Sequence, residues 1–95
     1  MKYYKFTCYT PYSGTEIEDV YEFENDITKG ELEEFSNELS TNNAETYEYL
    51  VFGFDYDPVE DGELSQAEYE TIMDDYYADC GCFYEEITKE EFDNF

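Results

Sequence analysis

The chain has 95 residues, which suits one small domain spanning 1–95 and leaves little room for a second. Four Lys and no Arg stand against 27 Asp and Glu, a net charge of −23, and His and Trp are absent. Such a surface repels nucleic acid and anionic lipid, whereas 12 Tyr and 8 Phe supply the buried area that a disordered acidic tail lacks.

In chain order, KYYKFTCYT sets Tyr4, Phe6 and Cys8 against Tyr3, Lys5, Thr7 and Tyr9, the period of a half-buried strand. MKYYKFTCYT has no apolar stretch of the signal-peptide kind, and no run is long enough to span a bilayer, so a cytoplasmic protein is expected. PYSGT reads as a turn, and EIEDVYEFE alternates again, which predicts a hairpin. One local pattern then occurs three times, at Ile27–Leu32, Leu64–Tyr69 and Ile87–Phe92. Each has an apolar residue, a Ser or Thr N-cap, a Glu at N3 and an apolar residue at N4, a capping box joined to a hydrophobic staple.

The first helix is therefore expected from Lys29 to Leu39, with Leu32, Phe35 and Leu39 inward. The second is expected from Gln66 to Cys80, with Tyr69, Ile72, Met73, Tyr76 and Cys80 at helical spacing and Gly81 as its stop. A third, short helix ends near Phe95. YEYLVFGFDY, Tyr47–Tyr56, has a continuous apolar centre and reads as an inner strand, and CFYEEI as a last short one. The order β-β-α-β-α-β-α predicts an α+β domain, a mostly antiparallel sheet with helices packed on one face.

DPVEDGELSQAE, Asp57–Glu68, partly resembles the EF-hand calcium loop, with Asp57, Asp61, Gly62, Ser65 and Glu68 at positions 1, 5, 6, 9 and 12. Val59 at position 3 offers no side-chain oxygen, Pro58 stands at position 2, and the entering helix is missing. Ser65 and Glu68 already have a full role as a capping box, so the segment reads as a helix start and no metal site is assigned. Cys8, Cys80 and Cys82 are odd in number and form no disulfide framework. Cys80-Gly81-Cys82 is a weak zinc candidate, and the surrounding carboxylates disfavour a nucleophilic thiolate.

The carboxylates carry the functional signal. Alternation puts Glu16, Glu18, Glu22 and Glu24 on one strand face with Val20. Residues two apart in a strand are separated by about 6.4–6.8 Å, close to the ~6.8 Å between successive phosphates of one DNA strand. Asp74, Asp75 and Asp79 lie in the C-terminal half of the second helix, where the helix dipole disfavours anions. Glu33, Glu34 and Glu38 of the first helix are read as having no Lys four residues away. A sequence shaped for stability would intersperse cations, so rules broken without local gain point to a binding surface. Tyr12, Tyr56 and Tyr77 are expected among these carboxylates, with Tyr77 an anchor for a partner rich in Arg and Lys.

With no His, no Arg and no motif-grade nucleophile, neither a catalytic residue nor a cofactor is expected. A sphere of this length is roughly 30–35 Å across, and 23 charges match about 39 Å of duplex DNA. In size and charge the chain resembles small phage-encoded DNA mimics, the anti-restriction and anti-CRISPR proteins; no family motif is matched. The resemblance implies a non-catalytic inhibitor that occupies the basic channel of a nucleic-acid enzyme, a CRISPR effector or a restriction enzyme. An acidic module or chaperone for another basic protein uses the same physics. Calcium binding and a halophilic adaptation of the surface are the remaining readings.

Overall fold

A computed structural model describes residues 1–53 and 57–95. The elements run β1 (Lys2–Tyr9), β2 (Ile17–Phe23), α1 (Lys29–Tyr47), α2 (Tyr49–Phe52), α3 (Gln66–Asp79), β3 (Gly81–Ile87) and α4 (Lys89–Asp93). The fold is α+β, with a three-stranded antiparallel sheet of order β2-β1-β3.

β1 is the centre of the sheet because its inward residues are the most apolar available. Tyr4, Phe6 and Cys8 are buried, and register places Tyr21, Asp19 and Ile17 of β2 opposite them on one side and Glu86, Tyr84 and Cys82 of β3 on the other. α1 covers this face with buried Leu32 and half-buried Phe35 and Leu39, as their spacing predicts. Phe6, 1% exposed, is ringed by Tyr21, Phe23, Phe35 and Tyr84 at centroid distances of 5.6, 6.1, 5.0 and 5.4 Å. Such ring pairs add about 0.5–1.5 kcal/mol each beyond area burial, which suits a domain with so little core. The opposite face of the sheet bears Tyr3, Lys5 and Thr7, and α4 lies against its far end through Phe92 on Tyr3 at 4.8 Å.

All three expected capping boxes form. Thr28, Ser65 and Thr88 each accept from the N3 amide, and Glu31, Glu68 and Glu91 each accept from the N-cap amide. The predicted hairpin also forms, with Gly14 at φ +77 in its loop. There the Thr15 hydroxyl donates to the Tyr12 carbonyl at 2.8 Å, and the Tyr12 amide donates to Thr10 Oγ1 at 3.2 Å.

Several expectations need correction, the first being that the helices do not all pack on one face, since α4 lies on the side opposite α1. α1 does not stop at Leu39 but runs 19 residues, to Tyr47. Its continuation is held by polar residues: buried Asn43 donates Nδ2 to the Thr15 carbonyl at 3.4 Å, and the Thr46 hydroxyl bonds the Asn42 carbonyl at 2.8 Å. The expected inner strand Tyr47–Tyr56 forms no strand among its described residues: Tyr47 ends α1 and Tyr49–Phe52 form α2. Glu48 keeps helical angles (φ −61, ψ −24), α2 follows at once, and Gly53 at φ +95 ends it. β1 already has a partner on each side, so no inner position in the sheet is free for this run. Tyr56 lies outside the described residues.

The molecule is elongated, 53 × 25 × 16 Å with a radius of gyration of 16.8 Å, against the ~12–13 Å of a sphere-like domain. α3 contributes to this shape. It is tied in near its C-terminal end, where the buried Tyr76 donates its hydroxyl to the Ala44 carbonyl of α1 at 2.8 Å and lies 6.0 Å from the Tyr12 ring. Toward its start, Tyr69 stacks on Phe52 at 5.4 Å. Ile72, expected inward, is 37% exposed. Among the described residues, no helix is long and apolar enough to cross a membrane.

Candidate acidic binding surfaces

Every described Asp and Glu is exposed. The cations are few and confined: Lys2, Lys5, Lys29 and Lys89 leave residues 30–88 with 18 of the 27 carboxylates and no Lys or Arg. Three ion pairs occur among the described residues, Lys5–Glu85 at 3.2 Å, Lys29–Glu33 at 4.0 Å and Lys89–Asp93 at 2.8 Å. The second corrects the expectation for α1, since Lys29 stands four residues before Glu33. All are surface pairs of small energetic weight.

The expected site residues do not share one surface. On the sheet, Glu18 and Glu22 lie with Val20 on the face opposite α1, facing Thr7 and Tyr3 of β1. Glu16 and Glu24 fall just outside β2, so the four-residue ruler is two strand positions with a flanking residue at each end. Two of the four cations, Lys5 and Lys89, act on this face. The Lys5 ammonium is held above its usual range by a hydrogen bond to Glu85, with Glu18 and Glu91 adding to it. Lys89 is raised likewise, chiefly by its hydrogen bond to Asp93, with Tyr3 and Glu22 contributing.

Glu33, Glu34 and Glu38 sit on α1, which covers the other face of the sheet. With Leu32, Phe35 and Leu39 inward, 100° per residue turns Glu34 and Glu38 away from the sheet and leaves Glu33 on the flank. The same rotation adds Glu45 and Glu48 to the outward side and leaves Glu31, bonded in the Thr28 capping box, on the flank opposite Glu33, so the carboxylate stripe from Glu34 to Glu48 runs along about 21 Å of helix. Glu45 and Glu48 were missed because the polar run Ser40-Thr41-Asn42-Asn43 hid the helix continuing beneath it. The available signal was spacing: 32, 35, 36, 39 and 43 lie on one side whether or not residue 43 is apolar.

On α3, burial of Tyr76 places the acids on two flanks. Asp75 and Asp79 share one with Glu68, while Asp74 shares the other with Glu70. Tyr77, expected among carboxylates and as an anchor for a partner, is half-buried and donates its hydroxyl to Glu48 Oε2. Burial, together with this bond and the charge of Glu48, raises its pKa. With Tyr76 bonded to Ala44, the bond joins the start of the α1–α2 junction to the last turns of α3. The C-terminal end of the α1 stripe and the acids of α3 therefore meet through this bond, both from residues 30–88, which contain no Lys or Arg.

Within Asp57–Glu68, the side chains of Asp57, Ser65 and Glu68 spend oxygens internally. Asp57 Oδ1 accepts from the Val59 and Glu60 amides at 3.0 and 3.2 Å, and Ser65 and Glu68 form the capping box at 3.1 and 3.2 Å. The cysteines are free thiols. Cys8 and Cys82 are direct cross-strand partners with sulfurs 3.0 Å apart. Burial, then the bond to Cys82, pushes the Cys8 thiol up to about 12, and burial also raises Cys80. Both are held as thiols near neutrality.

Comparison with protein-family models, with curated proteins and with solved structures gives no match.

Proposed function

We propose that this chain is a non-catalytic DNA-mimic inhibitor, acting in the bacterial cytoplasm. It occupies the basic nucleic-acid channel of a defence nuclease, a CRISPR effector in first place and a restriction enzyme in second. The reading is carried by the long body whose residues 30–88 hold 18 carboxylates and no cation. Over 53 Å, 23 net charges amount to one per about 2.3 Å, near the ~1.7 Å of duplex DNA. A folded, elongated polyanion of that density gains free energy in a basic channel by the route DNA uses, release of the counterions the channel holds. The α1 stripe and the acids of α3 are the main contact in this reading, with Glu18 and Glu22 a lesser one because Lys5 and Lys89 lie beside them.

A second reading, an acidic module or chaperone for another basic protein, is favoured by one observation. The carboxylates lie on both sides of the sheet instead of on one face.

The test is cleavage of a plasmid by a panel of purified CRISPR effectors and restriction enzymes, with the protein added before or after the DNA. Mimicry requires inhibition that weakens as duplex DNA is raised and that is lost when Glu34, Glu38, Asp75 and Asp79 are changed together to Lys. Inhibition that ignores competing DNA, or survives that reversal, would sink the proposal. Capture of many basic proteins with no inhibition of any nuclease would favour the chaperone reading.

A further inference from the structure

The sheet face opposite α1 is closed at one end and open at the other. At the closed end, Phe92 of α4 lies on Tyr3 beside Ile87. At the open end, Phe83 is 57% exposed and Tyr9 39%, their ring centroids 6.3 Å apart. Large apolar side chains left in water on a strand, in a domain short of core, are costly unless something covers them.

The open end is also preformed. Gly81 is the cross-strand partner of Tyr9, and a Cβ at Gly81 would come within 2.6 Å of Tyr9 Cζ, so the bare glycine lets the ring lie flat over it. Phe83 stands beside buried Thr7, and across Thr7 in the same row is Glu18. One position along β3 on this face, Glu85 pairs with Lys5 at 3.2 Å, which neutralises the nearest cation. The result is an exposed aromatic pair, Tyr9 seated over Gly81, with the Glu18 carboxylate in the same row across Thr7.

We infer that the Tyr9–Phe83 end of this face is a seat for arginine side chains of a basic protein partner, resting on the reading that the partner is basic. A guanidinium is planar and weakly hydrated, so it can lie on an aromatic face while its edge donates to a carboxylate such as Glu18. Lysine, a compact and strongly hydrated point charge, gains less from that combination. The charge of −23 supplies the long-range attraction, and the aromatic pair supplies the preference between cations. The seat lies on the far side of the sheet from the α1 stripe, so it adds a contact of different chemistry.

The test is binding of the full chain to two probes, a nona-arginine and a nona-lysine peptide, by calorimetry at about 0.1 M salt. In each case wild type is compared with Phe83→Leu. Leucine keeps apolar area on the strand but removes the ring. Expected is tighter binding of the arginine peptide by wild type, with that preference falling by about two- to fivefold in Phe83→Leu and lysine-peptide affinity unchanged. Tyr9→Leu gives an independent readout should Phe83→Leu fold poorly. An arginine preference that both variants retain overturns the seat and leaves the basic-partner reading standing. Failure of wild type to bind either peptide overturns that reading itself.

Discussion

Replacing Asp79 by Lys should make the protein more stable while weakening its hold on a basic partner. Asp79 is the last residue of α3, exposed, in a final turn with no basic residue. Removing an anion there relieves about 0.3–1 kcal/mol of unfavourable dipole interaction, and placing a cation adds a similar amount. Asp75 is four residues earlier, so a repulsive pair becomes an attractive one, worth about 0.4–1 kcal/mol for the whole change. The sum is about 1–3 kcal/mol, or a rise in Tm of about 4 °C or more in a chain of this size. Asp79→Asn removes the anion without adding a cation and should give roughly half the gain. Urea denaturation followed by circular dichroism at 20 and 500 mM NaCl measures both, urea being chosen because it does not screen charge. Salt should shrink the difference between variants and raise the midpoint of the wild type. Asp79→Lys that is neutral or destabilising at low salt, or a gain that salt leaves untouched, would refute the claim that self-repulsion is stored in α3.

Tyr76→Phe deletes the hydroxyl that donates to the Ala44 carbonyl at 2.8 Å in a buried setting, so a loss of about 1–2 kcal/mol is expected by urea titration. Because that bond fastens α3 to α1, amide exchange in α3 should rise more than in β1. Phe6→Ala opens a cavity among four rings and should cost about 3–5 kcal/mol, seen as a fall in Tm of about 12 °C or more by circular dichroism. Alkaline pH should destabilise the fold. The Cys8 thiol titrates near 12 in the folded protein against about 8.5 in an unfolded chain, and burial also raises Tyr21, Tyr76 and Tyr77. Between those values the unfolded state has released protons that the native state keeps. The Cys8 contribution is thus intact below about pH 8.5 and lost progressively up to about 12, at no more than ~1.4 kcal/mol per pH unit. Cys8→Ser should flatten the urea midpoint over pH 9–11.

The three capping boxes were legible because each is a contract between residues three apart, settled by hydrogen bonds no distant segment needs to supply. Alternation of Tyr4, Phe6 and Cys8 was legible for the same reason, since a pleated strand sorts its side chains by parity alone. Asp57–Glu68 could be read as a helix start because Ser65 and Glu68 satisfy each other's backbone neighbours locally. The run Tyr47–Phe52 was not legible. A short apolar segment fits a strand or a helix equally well, and the choice falls to whatever partner is free.

Sequence alone therefore determined the helix starts, the face that β1 buries, the α+β class and the charge, all quantities summed over residues or fixed within a turn or two. Tertiary structure alone decided which carboxylates stand together. It put Glu18 and Glu22 on the opposite side of the sheet from Glu34 and Glu38, added Glu45 and Glu48 by extending α1, and bonded Tyr77 to Glu48. It also brought Tyr9 beside Phe83 and Cys8 beside Cys82, pairs separated by 74 residues in the chain. The physical reason is that a surface is a relation between elements: its residues share a side only once register and packing have set each strand and helix against the others.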